Sequence, residues 1–200
     1  RRLTAVPRPG PLSVTLRVRG GLTAAAPGDE GNRPPRRRCR AASCQAGSAR
    51  LMIEVQIDDD AWSDALVEVN DLTHEAATIA MEEEGVVTIS LTDDDTVADL
   101  NQRFRGKAGP TNVLSFPSPE TARPFLGDVI LAYGVCTREA DEQGKTLAAH
   151  LQHLVIHGLL HLQGFDHVGD CDAEVMEARE RTLLARLGLK DPYASHDEPD

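Results

Sequence analysis

Residues 157–167, His-Gly-Leu-Leu-His-Leu-Gln-Gly-Phe-Asp-His, constrain the fold more than any other stretch of the chain. An α-helix turns about 100° per residue, so His157 and His161, four apart, project from one face toward a common point. Gly164 is the residue type that tolerates positive φ and ends helices. The chain is therefore expected to turn back there and deliver His167 as a third ligand. Three neutral imidazoles with the fourth position left to solvent suit a catalytic zinc ion, because a structural site is closed by four protein ligands. Hydrolysis is the chemistry such a site implies. A set of unrelated helix histidines is the bland alternative, and the glycine placed where the turn must fall argues against it.

The same spacing occurs in metzincin peptidases, whose pattern is His-Glu-x-x-His-x-x-Gly-x-x-His. There the Glu beside the first histidine is the general base. This chain carries Gly158 at that position, so peptide hydrolysis lacks its carboxylate. Asp166 is no substitute; an acid beside a ligating histidine orients a ring or caps a turn. His153 lies one turn upstream on the ligand face and is read either as an outer-shell donor or substrate contact, or as a partly exposed polar position. His150 and His74 have no such company.

Three blocks in order resemble the YbeY endoribonucleases, the bacterial and organellar rRNA maturation factors. The first is 157–167 itself, with Phe165 where Tyr is usual. The second runs Leu100-Asn101-x-x-Phe104-Arg105-Gly106-Lys107, then Thr111-Asn112-Val113-Leu114-Ser115-Phe116-Pro117, again with Phe for Tyr at 104. The third is Leu126-Gly127-Asp128-Val129-Ile130, and Met176, Glu180 and Leu187-Gly188 fit the family's closing helix. The resemblance extends from about Met52 to Leu189. It implies a zinc-dependent endoribonuclease, with His157, His161 and His167 as metal ligands and Arg105, His157 and His161 as catalytic residues. It also implies ribosomal RNA as substrate and the small ribosomal subunit or its proteins as partners. Arg105 suits the role on chemical grounds, since a planar guanidinium donates two parallel hydrogen bonds to a phosphate. Read alone, it would be a surface arginine favourable to a helix C-terminus.

Charge divides the chain. Residues 1–50 hold eleven Arg against Asp29 and Glu30, a formal +9 that leaves −20 on the remainder of a chain whose net charge is −11. The first segment also carries half of the twelve prolines and no sustained apolar period, so residues 1–51 are expected to be a disordered Arg/Pro-rich extension. An organellar transit peptide fits in composition, although its prolines break the amphipathic helix such a peptide needs. A basic RNA-binding arm is a second reading. The preferred reading is translated sequence upstream of a start at Met52. Residues 52–190 are assigned to the YbeY-like domain and 191–200 to a disordered acidic tail. No apolar run approaches the ~20 residues of a membrane span. A cytoplasmic protein is expected, or an organellar one if residues 1–51 are a transit peptide. Cys39, Cys44, Cys136 and Cys171 lack a zinc-ribbon pattern and are read as reduced thiols, with Cys136 and Cys171 as small buried hydrophobes.

Periodicity predicts an α+β domain: a mixed, mostly four-stranded sheet packed with helices around a central metal-ligand helix, zincin-like in arrangement. Strands are expected at 52–57, 86–91, 113–116 and 128–132. Helices are expected at 62–84, 97–105, from 138 to 163 with a break near Gly144, and at 172–187. Asp93-Asp94-Asp95 reads as a helix cap and solvated turn rather than a metal cluster. Leu151, Leu154, Val155, Leu159 and Leu162 should bury the metal helix. A net −20 is the wrong sign for general RNA affinity. Arg103, Arg105, Lys107, Arg123 and the metal would reconcile it by gathering into one positive cleft. Two other readings remain: a metal-dependent hydrolase of another substrate, and a non-catalytic ribosome-assembly factor with structural zinc.

Overall fold

The structure, a computed structural model, describes residues 51–82, 84–167 and 169–193, all within one compact unit. The expected basic extension lies outside the described residues except for Leu51, as does the tail beyond Tyr193.

Four strands form one mixed sheet, β1 (Met52–Ile57), β2 (Val86–Thr92), β3 (Val113–Pro117) and β4 (Phe125–Ala132), in the order β1-β2-β4-β3. β1, β2 and β4 run parallel, and β3 pairs antiparallel with β4 at the edge. Connection length explains the mixture. The short segment 118–124 permits only an antiparallel neighbour, whereas the parallel pairs are joined by long crossovers containing helices. β4 is central and buried along almost its whole length, while edge strand β1 alternates exposed and half-buried positions.

Successive residues of β4 serve two cores. Val129 and Leu131 join Val87, Ile89 and Leu91 beneath α2 (Val69–Ala80), α5 (Leu147–Leu162) and α6 (Asp170–Arg186). Ile130 and Ala132 pack on the opposite face with Leu114 and with Val97 of α3 (Asp94–Arg105). Thus α5 lies against β3 and β4 and is flanked by α2, α4 (Tyr133–Glu142) and α6. Leu151, Leu154, Val155 and Leu159 are buried as expected, and Leu162 is half-buried.

Where the elements depart from the periodicity, tertiary contacts explain why. The expected helix over 62–84 is two helices, α1 (Ala61–Ala65) and α2, separated by an extended Leu66. Trp62 must sink into the core, where its indole Nε1 donates to the Thr92 carbonyl at 3.2 Å. Val67, between the two helices, stands almost fully exposed. α2 then stops at Ala80, because Gln163 at the end of α5 donates to the Ala80 carbonyl and Met81 turns inward to be buried. The break at Gly144 occurs at φ 62, between α4 and the Thr146 side chain that caps α5. α4 begins earlier than expected, at Tyr133, because Asp94 of α3 accepts the Val135 N–H at 3.0 Å and supplies its cap. Gly134 has no Cβ to collide with that carboxylate.

Candidate metal centre

α5 ends in a Schellman turn: the Phe165 N–H reaches the Leu160 carbonyl at 3.1 Å and the Gly164 N–H reaches His161 at 3.1 Å, with Gly164 at φ 88. This turn does two things at once. It aims the Phe165 carbonyl at His161 Nδ1, 3.0 Å away, and it brings His167 beside the helix. His157, His161 and His167 each offer one nitrogen, and the three lie within 4.8 Å of one another. Asp166 Oδ1 accepts the His167 N–H at 2.7 Å, so this acid stabilises the turn, one of the two roles expected for it.

Hydrogen bonding decides which nitrogens face the centre. A carbonyl can only accept, so His161 Nδ1 carries the proton and its Nε2 lone pair is exposed to the site. His157 is fixed in the same way by a carboxylate, since Glu180 Oε1 lies 2.7 Å from its Nδ1. The two Nε2 atoms approach to 3.1 Å. Ligand nitrogens about 2.05 Å from a tetrahedral ion would stand roughly 3.3 Å apart, so the pair nearly matches a shared metal without rearrangement. Burial and the neighbouring His157 both lower the His161 pKa, which favours the neutral ligand form. Two imidazoles with Nε2 turned to the centre and a third ring nitrogen from His167 beside them fit a divalent transition metal.

Glu180, which holds the first of the three histidines, is a residue to which local sequence assigns no more than a place in the closing helix. It is fully buried in α6. Burial alone would raise its pKa, but His153, His157 and Tyr193 outweigh that and hold it below the usual carboxylate range. A signal is present in the sequence: Met176, Glu180, Leu183 and Leu184 share the buried stripe of α6, and a charged residue on an apolar stripe implies a buried partner. His153 meets the same carboxylate, its Nε2 lying 3.7 Å from Oε2, and is half-buried. His150, expected to stand alone, pairs with Glu139 at 3.0 Å.

The three histidines open into a cleft of about 550 Å³ bounded by β3, the turn after α5 and the C-terminal end of α3. Arg105 lines it together with Thr111, Asn112 and Ser115. Of the four cations expected to gather at this cleft, Arg105 is among its lining residues. Positions 103 and 105 lie about 200° apart around a helix, and Arg103 points away to pair with Asp99 at 3.4 Å. Two further expectations are corrected. Cys136 is buried, its thiol pKa raised by burial, but Cys171 is exposed at the start of α6, where a side chain projects from the first turn. Asp93 caps α3 as expected, accepting the Thr96 N–H. Asp94 is not merely solvated, since it also binds Arg138 at 3.2 Å.

Gly158 has a packing reason beyond the missing carboxylate. A Cβ there would stand 2.6 Å from Val129 Cγ1 and 3.2 Å from Ser115 Oγ, and Ser115 Oγ donates to the Gly158 carbonyl at 3.1 Å. α5 rides on the sheet at this point, so no larger residue fits beside the first ligand. Gly158→Ala is expected to lower the unfolding free energy by about 1 kcal/mol: overpacking costs about 1–3 kcal/mol, exceeding the ~1 kcal/mol gained from helix propensity. Chemical denaturation checks this, and an unchanged or raised midpoint would show that α5 can lift off β4.

Known proteins share these features. The family described as Endoribonuclease YbeY matches residues 52–188. A Maricaulis maris protein named Endoribonuclease YbeY is 53% identical over 150 residues, spanning 72% of this chain and 93% of that protein. One of the same name from Rhodopseudomonas palustris is 46% identical over 161 residues, 75% of this chain and 85% of its own. Another, from Paramagnetospirillum magneticum, is 48% identical over 157 residues, 72% and 96% respectively. The motif resemblance thus holds over the sheet and the six α-helices of the described residues, and the chain belongs to the YbeY endoribonuclease family.

Proposed function

We propose that this chain is a zinc-dependent endoribonuclease, preferring single strands, that acts in ribosomal RNA processing and in ribosome maturation or quality control. One observation carries the reading: three imidazoles, each with a ring nitrogen near one point, share a cleft with Arg105, and no carboxylate can stand at position 158. The names of the relatives support ribonuclease chemistry. On this reading α5 is the central metal-ligand helix of a zincin-like arrangement, with His157, His161 and His167 holding the ion.

Zinc in such a site supplies Lewis acidity toward a phosphate oxygen. The chain's own groups do the rest. Arg105 offers a bidentate donor pair to the two non-bridging oxygens and stabilises the charge that develops on them. Thr111 and Ser115 add hydroxyls to the wall beneath. Unpaired RNA is favoured because its flexible backbone can present a phosphate to a recessed centre, whereas a stacked duplex must first be distorted. With a net −20 over residues 51–200 and Arg105 as the cation lining the cleft, intrinsic RNA affinity should be weak. Targeting would come from a partner, the small ribosomal subunit or one of its proteins, in the cytoplasm. No described helix is long and apolar enough to cross a membrane.

Zinc-loaded protein should cut single-stranded RNA, spare a perfect duplex and leave unfolded casein intact. Chelator should abolish cleavage and zinc restore it, which separates the activity from a metal-independent contaminant. Casein digestion that disappears in His157→Ala, without RNA cleavage by the parent, would overturn the proposal in favour of a peptidase.

A further inference from the structure

We propose that Tyr193 is a positioning residue for the metal site, acting through Glu180 on His157, so that the Asp191-Pro192-Tyr193 turn sets how tightly the three histidines hold an ion. The inference rests on the metal reading above and extends it to a segment whose acidic composition suggested only a tail.

Both oxygens of the buried Glu180 are engaged. Oε1 accepts the His157 Nδ1 proton at 2.7 Å, and Oε2 accepts from the Tyr193 hydroxyl, with His153 Nε2 at 3.7 Å. A carboxylate held by one oxygen can swing about its last torsion, where the preference is broad. A bond to the second oxygen fixes its plane, and thereby the ring of the ligand it holds. Such outer partners fix tautomer and ring orientation, and their loss costs about 10- to 100-fold in metal affinity.

Tyr193 is itself held in place. The Asp191 side chain accepts the Tyr193 N–H at 2.9 Å, closing a tight turn around Pro192. The ring meets His153 edge-on at 6.4 Å between centroids and lies 5.7 Å from the Arg181 guanidinium carbon. Tyr193 is 41% exposed, so its hydroxyl can be removed without opening the core. A merely structural tyrosine would act on the fold whether or not metal is present. A positioning tyrosine acts more strongly on the metal-bound state than on the metal-free one.

The test uses the full chain with Tyr193→Phe and Glu180→Gln, and zinc alone as the probe. Chelator competition should show zinc affinity about 10-fold weaker for Tyr193→Phe and at least that for Glu180→Gln. The zinc-free melting temperature of Tyr193→Phe should fall somewhat, because the buried Glu180 loses a donor, and the rise on adding zinc should shrink as well, so that the loss is larger with zinc than without it. Long-range proton–nitrogen NMR should show His157 protonated at Nδ1 in the parent and divided between tautomers in Tyr193→Phe. Parent-like zinc affinity in Tyr193→Phe, or equal melting losses with and without zinc, would overturn the inference. If Glu180→Gln does not fold, Tyr193→Phe decides alone. A parent that binds no zinc would instead overturn the metal reading itself.

Discussion

His161→Ala is expected to bind essentially no zinc by elemental analysis after dialysis, and to lose RNA cleavage with it. Two imidazoles make a poor site; removing an outer partner already costs about 10- to 100-fold in affinity, so removing a ligand should cost more than about 100-fold. The zinc-dependent rise in melting temperature should vanish, because a ligand stabilises only the state that binds it. His161 is the cleaner ligand to remove. Its Nδ1 bonds only to the Phe165 carbonyl at the helix end, and alanine favours the helix. His157→Ala would also take a donor from the buried Glu180, and an undercompensated buried charge is strongly destabilising. The zinc-free melting temperature should therefore fall further in His157→Ala than in His161→Ala. Retention of one zinc per chain by His161→Ala would remove it from the ligand set.

Arg105→Glu should show the opposite division, keeping zinc and losing cleavage. Arg105 is exposed, and among the described residues no carboxylate pairs with it, so its replacement strands no buried charge. Its position in the last turn of α3 makes a glutamate there unfavourable by about 0.3–1 kcal/mol, a small shift in melting temperature. The catalytic effect should be far larger. Loss of one donor to a developing oxyanion costs about 100- to 1000-fold in rate, and charge reversal adds repulsion of the phosphate. Arg105→Lys, which keeps the charge but loses the planar fork, should fall between the two. Cleavage at the parent rate by Arg105→Glu would show that the cleft works without it.

Local chemistry makes much of the site legible in the order of residues alone. The helical repeat puts His157 and His161 on one face, and Gly164 marks the reversal that brings in His167, because both depend only on backbone geometry over a few residues. For the same reason the alternation in 52–57, the cap at Asp93 and the break at Gly144 can be read from their neighbours in the chain. Short-range rules fail where a residue's conformation answers to something distant. Trp62 and Gln163 divide and end a stretch whose composition is uniformly helical, and Asp94 starts a helix that lies far from it in the chain.

The sequence by itself therefore determined the three clustered histidines, their spacing and the absence of a carboxylate beside the first of them. Only the tertiary structure decided which groups surround them. Sheet order placed β3 at the edge as a cleft wall, and the rotation of α3 sent Arg105 toward that cleft while Arg103 turned away. The docking of α6 on α5 brought Glu180 to His157, and the approach of α5 to β4 made Gly158 a packing requirement. The physical reason is one of range: periodicity and turn chemistry act within a few residues, whereas a buried carboxylate finds its histidine only when two helices pack on one sheet.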